Sequence, residues 1–94
     1  MVYSIRPHRA FERPFAKLSR ELQQRIVEKL EFLARHPETI GVPMGNLPPD
    51  LRGLHKIRVG GWRLFFWVEH AKREIVPYNI ERRDKAYQKF WKHE

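Results

Sequence analysis

Arg58 and Arg63 flank the Gly60-Gly61 pair in RVGGWRLFFWV, and Lys56 stands two residues ahead of Arg58. If the two glycines form a two-residue turn, Val59 pairs with Trp62 and Arg58 lies directly opposite Arg63, with Lys56 on the same face. Like charges opposed on paired strands cost roughly 0.2–1 kcal/mol per pair. A bound phosphate would remove that cost, and a guanidinium offers a fixed fork of donors for phosphoryl oxygens. Phe65 and Trp67 continue the face, and such rings can stack unpaired bases. A solvated face with Lys and Arg stems lying over aromatic rings accounts for single charges. It accounts poorly for cations converging on adjacent strands.

The stretch YNIERRDKAY adds Arg82 and Arg83, with Tyr87 four residues beyond Arg83 and on the same side of a helix. An alternative has Tyr87 packing beside Phe90 while the arginines form a solvated strand end. Cations with a tyrosine suit cleavage of RNA by attack of the 2′-OH on the adjacent phosphate. That reaction needs the 2′-OH deprotonated, the developing charge on the phosphoryl oxygens stabilised and the leaving 5′-oxygen protonated. Arginines supply the second need. A lysine crowded by other cations has its pKa lowered and can act as a weak base. Tyrosine can serve as base, positioning group or stacking surface.

Other chemistries find no residues. The histidines (His8, His36, His55, His70, His93) lack metal-ligand spacing, no Gly-rich phosphate loop precedes a helix, and cysteine is absent. Ser4 and Ser19 lack a nucleophile context, and His55, on an apolar face, reads as structural. No cofactor and no metal are expected.

The elements that must position this set follow from periodicity. VYSIR reads as a first strand ended by Pro7. HRAFERPFAKL carries Phe11, Phe15 and Leu18 at helical spacing, with Pro14 marking either a helix start or a kink. SRELQQRIVEKLEFLARH sets Leu22, Ile26, Leu30 and Leu33, with Val27 and Ala34 beside them, in one apolar stripe; Ser19 is its N-cap and Pro37 ends it. Residues 37–53, rich in Pro and Gly, form a loop. LHKIRV, WRLFFWVE and REIVPYNIE then alternate as an antiparallel meander, with Pro77 marking an edge or a bulge. DKAYQKFWKHE completes a β-α-α-β-β-β-α order as a short helix capped by Asp84. The fold expected is α+β, a small antiparallel sheet with a helical hairpin on one face. His55, Ile57, Val59, Trp62, Leu64, Phe66 and Val68 form the face that meets the helices. Leu54, Lys56, Arg58, Arg63, Phe65 and Trp67 form an open one.

The 94 residues make one domain, with 19 Lys and Arg against 11 Asp and Glu, a net charge of +8. A one-sided excess of that kind favours a polyanionic partner, nucleic acid or an acidic protein. No apolar run nears the ~20 residues of a membrane span, and the N-terminus lacks a signal-peptide core. A cytoplasmic protein with no membrane partner is expected.

Leu51-Arg52-Gly53, Arg58-Val59-Gly60, Trp62-Arg63-Leu64 and Ile80 followed by Arg83 and Tyr87 occur in the order found in the RelE/ParE toxin superfamily of type II toxin–antitoxin systems, which this chain resembles over its whole length. The RelE-like branch consists of metal-independent, ribosome-dependent mRNA endonucleases that cut by 2′-OH attack and inhibit translation. Carried over, the resemblance implies a catalytic set of Lys56, Arg58, Arg63, Arg83 and Tyr87; Arg82, Phe65, Trp67 and Lys85 are expected as RNA contacts. Glu81 departs from the His or cation of many relatives and leaves Arg82 as the alternative to Arg83. The ending QKFWKHE lacks the His-Tyr of the YoeB-like branch, so a Glu/His acid–base pair is not implied. The partners implied are the ribosome, mRNA and an acidic antitoxin that wraps the basic surface, the toxin being a monomer alone and a hetero-oligomer with it. ParE-like members instead poison DNA gyrase and generally lack the full basic-plus-Tyr site, and an inactive homologue that only binds antitoxin is a third possibility.

Overall fold

In a computed structural model, residues 2–82 are described, and the chain folds as β1 (Ser4–Ile5), α1 (Glu12–Ala16), α2 (Arg20–Arg35), β2 (His55–Val59), β3 (Trp62–Glu69) and β4 (Glu74–Arg82). The helix expected over DKAYQKFWKHE, and with it Arg83, Lys85 and Tyr87, lies outside the described residues.

Helix α2 forms where the apolar stripe predicts it. Ser19 accepts the Leu22 backbone N–H at 3.2 Å, Glu21 faces the positive end of the helix, and Pro37 follows the last turn. Ile26, Leu30, Leu33 and Ala34 are buried, whereas Val27 stays 41% exposed because it sits at the rim of the stripe. A 3₁₀ turn at Arg9–Phe11 leads into α1, where Pro14 falls in the first turn and its missing N–H costs no helical bond.

The sheet order is β1-β4-β3-β2. Strands β2, β3 and β4 are the expected antiparallel meander, but β1 joins β4 in parallel, so the sheet is mixed at one edge. The intervening helices supply the crossover that a parallel neighbour requires. Backbone N–H groups of Ser4, Arg6 and His8 donate to the carbonyls of Arg73, Ile75 and Pro77 at 2.8–2.9 Å, continuing the pairing past β1 itself. An Arg6–Glu74 ion pair at 3.0 Å adds to this edge, although Arg6 is solvated and the pair is worth at most about 1 kcal/mol.

The main core lies between the sheet and the helices. Val59, Leu64 and Phe66 meet Ile26, Leu30, Leu33 and Phe11, with Ile75 and Ile80 from β4, so the predicted inner face of the hairpin is the inner face observed. The outer face is not open throughout. The loop after α2 folds over one half of it, and Leu54 (0% exposed) and Phe65 (2%) are sealed there with Met44, Leu47, Leu51, Trp67 and Tyr78. Gly53 makes that closure possible. Its φ of +88° lies in the left-handed region, and the Trp67 ring comes within 3.7 Å of where a Cβ would stand. The Trp67 indole N–H donates to the Arg52 carbonyl at 3.1 Å, fastening the loop to the sheet. The Leu51-Arg52-Gly53 motif is therefore a loop anchor.

Candidate functional site

The half of the outer face nearest the Gly60-Gly61 turn remains accessible, and the strand register fixes its layout. Val59 pairs with Trp62, Arg58 with Arg63 and Lys56 with Phe65, as the two-residue turn requires. Gly60 takes φ +62° at the first turn position, a conformation that a side-chain-bearing residue seldom adopts. Arg25 of α2 reaches this turn, its Nη1 3.4 Å from the position of a Gly60 Cβ.

On the other side of β3 the register continues with Arg63 opposite Glu81 and Phe65 opposite Asn79. Two rows thus cross the sheet, Arg58–Arg63–Glu81 and Lys56–Phe65–Asn79. With strands about 4.8 Å apart and side chains of one face about 6.6 Å apart along a strand, the patch measures roughly 10 by 7 Å. That is the scale of one phosphodiester with its ribose. The facing arginines are balanced by the carboxylate across the next strand, since opposite charges directly paired are favourable. Lys56 and Arg58 are exposed, while Arg63 is half-buried with its Nη1 screened from solvent. The central arginine is the one whose side chain the fold holds.

Asn79 and Glu81 reach this face through a β-bulge. Phe66 pairs with Pro77 but Phe65 pairs with Asn79, which leaves Tyr78 as an extra residue on β4. The bulge inverts the alternation, so Tyr78, Asn79 and Glu81 lie on the outer face while Ile80 turns into the core, 3% exposed. Pro77 sits at the interruption, where its carbonyl accepts the His8 N–H at 2.8 Å and an absent N–H is tolerated. The Asn79 amide is then oriented from both ends. Its Oδ1 accepts the Ile80 backbone N–H at 2.9 Å, and its Nδ2 donates to Glu81 Oε2 at 2.6 Å.

The sequence-derived candidates fare unequally. Lys56, Arg58 and Arg63 are brought together. Arg82 pairs with Trp62 and belongs to the opposite side of the strand from Arg63, so it does not share their face. Phe65 shares the face but is buried under the loop, which leaves its ring no surface for stacking a base. Trp67 is half-exposed and committed to Arg52 and to Tyr78, whose ring centroid is 4.8 Å away. Sequence reasoning passed over Asn79 and treated Glu81 only as a departure from the family. The signal that finds both is Pro77, because a proline inside a paired strand implies the bulge that reverses the alternation after it.

Elsewhere little chemistry is on offer. Among the described residues no group of three or more His, Asp or Glu is placed to hold a metal ion, and no helix is long and apolar enough to cross a membrane. A cavity of about 240 Å³ on the helical side is lined by Ile5, Phe11, Phe15, Leu30 and Pro77 and is apolar. His55 is buried and stacked on Phe66, with ring centroids 5.2 Å apart and planes at 11°, and burial together with the charge of His70 lowers its pKa. It serves packing.

No family model matches the chain. Individual proteins do. Toxin RelE of Mycobacterium tuberculosis is 32% identical over 81 residues, covering 77% of this chain and 79% of the relative. Among solved structures, the toxin–antitoxin complex RelBE2 of M. tuberculosis superposes with a TM-score of 0.70 at 25% identity, covering 88% of this chain and 100% of that one. The free E. coli RelE toxin, in a double-arginine mutant, gives a TM-score of 0.72 at 18% identity, covering 92% of this chain and 88% of that one, and supports the fold alone. With a RelE toxin 32% identical over most of its length, the chain belongs to the RelE toxin family of toxin–antitoxin systems.

Proposed function

We propose that this protein is a metal-independent endoribonuclease that cuts mRNA on the ribosome and is held inactive by a cognate acidic antitoxin. The observation that carries the reading is the Arg58–Arg63–Glu81 row beside Lys56 on the accessible half of the outer face. The row joins phosphate-binding forks to a carboxylate within the span of one phosphodiester. Fixed guanidinium donors stabilise charge as it develops on the phosphoryl oxygens, and a half-buried, register-held Arg63 needs little reorganisation to do so. Among the described residues the face is small, without a stacking groove or a long basic channel. Such a site is a poor ribonuclease toward free RNA and suits a substrate already held and distorted by another body, as mRNA is on the ribosome.

The antitoxin follows from the charge and from kinship. A net charge of +8 calls for an acidic partner, and the matched RelBE2 structure is a complex of toxin with antitoxin. We infer that the toxin alone is a monomer in the cytoplasm and a hetero-oligomer with its antitoxin. Arg83 and Tyr87, which the family resemblance assigns to catalysis, and Lys85, assigned to RNA binding, complete the proposed set.

Expression of the chain without antitoxin, with mRNA 5′ ends mapped against ribosome position, tests the reading. Ends phased to codons and confined to translated messages are the result expected. Intact mRNA with accumulating DNA damage would replace it with gyrase poisoning, and neither effect would leave an inactive homologue.

A further inference from the structure

We propose that Glu81 is the general base of the cleavage reaction, a role that rests on the endoribonuclease reading above. Kinship gives no reason to look for a carboxylate base at this position. The register gives one. Glu81 lies directly across β3 from Arg63, the half-buried arginine at the centre of the row, so a phosphate held by Arg63 sets its neighbouring ribose beside the Glu81 carboxylate.

The second observation is how the carboxylate is held. The Asn79 Nδ2 donates to Oε2 at 2.6 Å, and the Asn79 amide cannot turn over without giving up the Ile80 N–H that its Oδ1 accepts at 2.9 Å. A backbone amide thus orients an amide side chain, which orients one carboxylate oxygen. A base positioned by a third group is the arrangement that proton-transfer sites use. The β-bulge at Phe65/Phe66 exists at this point of the strand, and without it Asn79 and Glu81 would face the core. Bulges next to active sites re-aim side chains in this manner. Charge balance for Arg58 and Arg63 would need a carboxylate nearby but would not need it fixed by a two-step relay.

The step balances as a transesterification. Glu81 takes the proton of the 2′-OH as the 2′-oxygen forms its bond to phosphorus, and the bond from phosphorus to the 5′-oxygen breaks. The departing 5′-oxygen takes a proton from water, and Glu81 returns its own to water. The products are a 2′,3′-cyclic phosphate and a 5′-hydroxyl, with no net proton consumed. Arg63 and Arg58 hold the phosphoryl oxygens throughout.

The test uses the full chain, released from its antitoxin, with ribosomes programmed by a defined mRNA. Single-turnover cleavage is followed for the wild type, Glu81→Gln and Glu81→Asp, and each is titrated against the same complex carrying a 2′-deoxy mRNA that cannot be cut. Glutamine keeps the size of the side chain and can still accept from Asn79, so the fold is retained, and a thermal melt checks it. The rate constant for E81Q is expected to fall about 10²-fold or more, with E81D recovering part of it and the affinity for the 2′-deoxy complex no weaker than that of the wild type. A rate for E81Q within about threefold of wild type, or a faster one, overturns the assignment and leaves the endoribonuclease reading standing. A wild type that cuts no mRNA overturns both.

Discussion

Arg63 stands between a like charge and an opposite one, Arg58 on β2 and Glu81 on β4, and this placement defines its chemistry. A guanidinium beside a carboxylate costs little to keep in the empty site, and beside a second guanidinium it gains when an anion enters. The pairing of Arg58 with Arg63 was legible in the sequence, because a Gly-Gly turn fixes the register of its hairpin. The relief of their repulsion by Glu81 was not, since it depends on a strand that is adjacent only in the fold. His55 shows the same division. Its place on the apolar face follows from alternation, while its stacking on Phe66 and its lowered pKa are properties of the packed state. A histidine whose folded pKa lies below its unfolded value stabilises the fold above the unfolded value and loses that contribution as pH falls. Urea midpoints are therefore expected to decline as pH drops through and below 6.5, the ordinary imidazole value. A His55→Leu variant should show a shallower decline over the same range.

At the scale of elements, the loop and the bulge together shape the sheet face that carries the proposed site. Alternation alone predicts an open outer face with Phe65 and Trp67 presented as stacking rings. The loop after α2 reads in the sequence only as a Pro- and Gly-rich connection, with nothing to say which surface it covers. In the fold it buries Leu54 and Phe65 and leaves Lys56 and Arg58 exposed, with Arg63, Asn79 and Glu81 partly so. Its fastening depends on Gly53, where an alanine would have to adopt a left-handed φ of +88°. Gly53→Ala is expected to cost about 1–2 kcal/mol in a urea titration. The same substitution should increase the exposure of Trp67 to a soluble quencher, because the indole loses its hold on the Arg52 carbonyl. Pro77 is the counterpart on β4. It was legible as an edge or bulge signal, but the consequence, that Asn79 and Glu81 exchange faces with Ile80, required counting the alternation again from the bulge onward.

On the scale of the whole molecule, the charge and the order of elements were open to sequence reasoning, and the described residues carry that order through β4. The parallel seating of β1 against β4 was not, because a short strand ended by a proline carries no mark of its partner. That seating closes the sheet on the side away from the rows and leaves the hairpin end of the outer face as the polar, cationic surface that a phosphodiester fits. We propose that this surface cuts RNA by 2′-OH attack on a substrate presented by the ribosome. It is tested most directly by analysing the termini produced when the purified toxin acts on mRNA in programmed ribosomes, with Arg63→Ala alongside. Expected are a 2′,3′-cyclic phosphate on the upstream fragment and a 5′-hydroxyl on the downstream one, formed only with ribosomes, and at least about 10²-fold slower with the variant. A 5′-phosphate terminus, equal cutting of naked RNA, or an Arg63→Ala protein that cuts at the wild-type rate would contradict it.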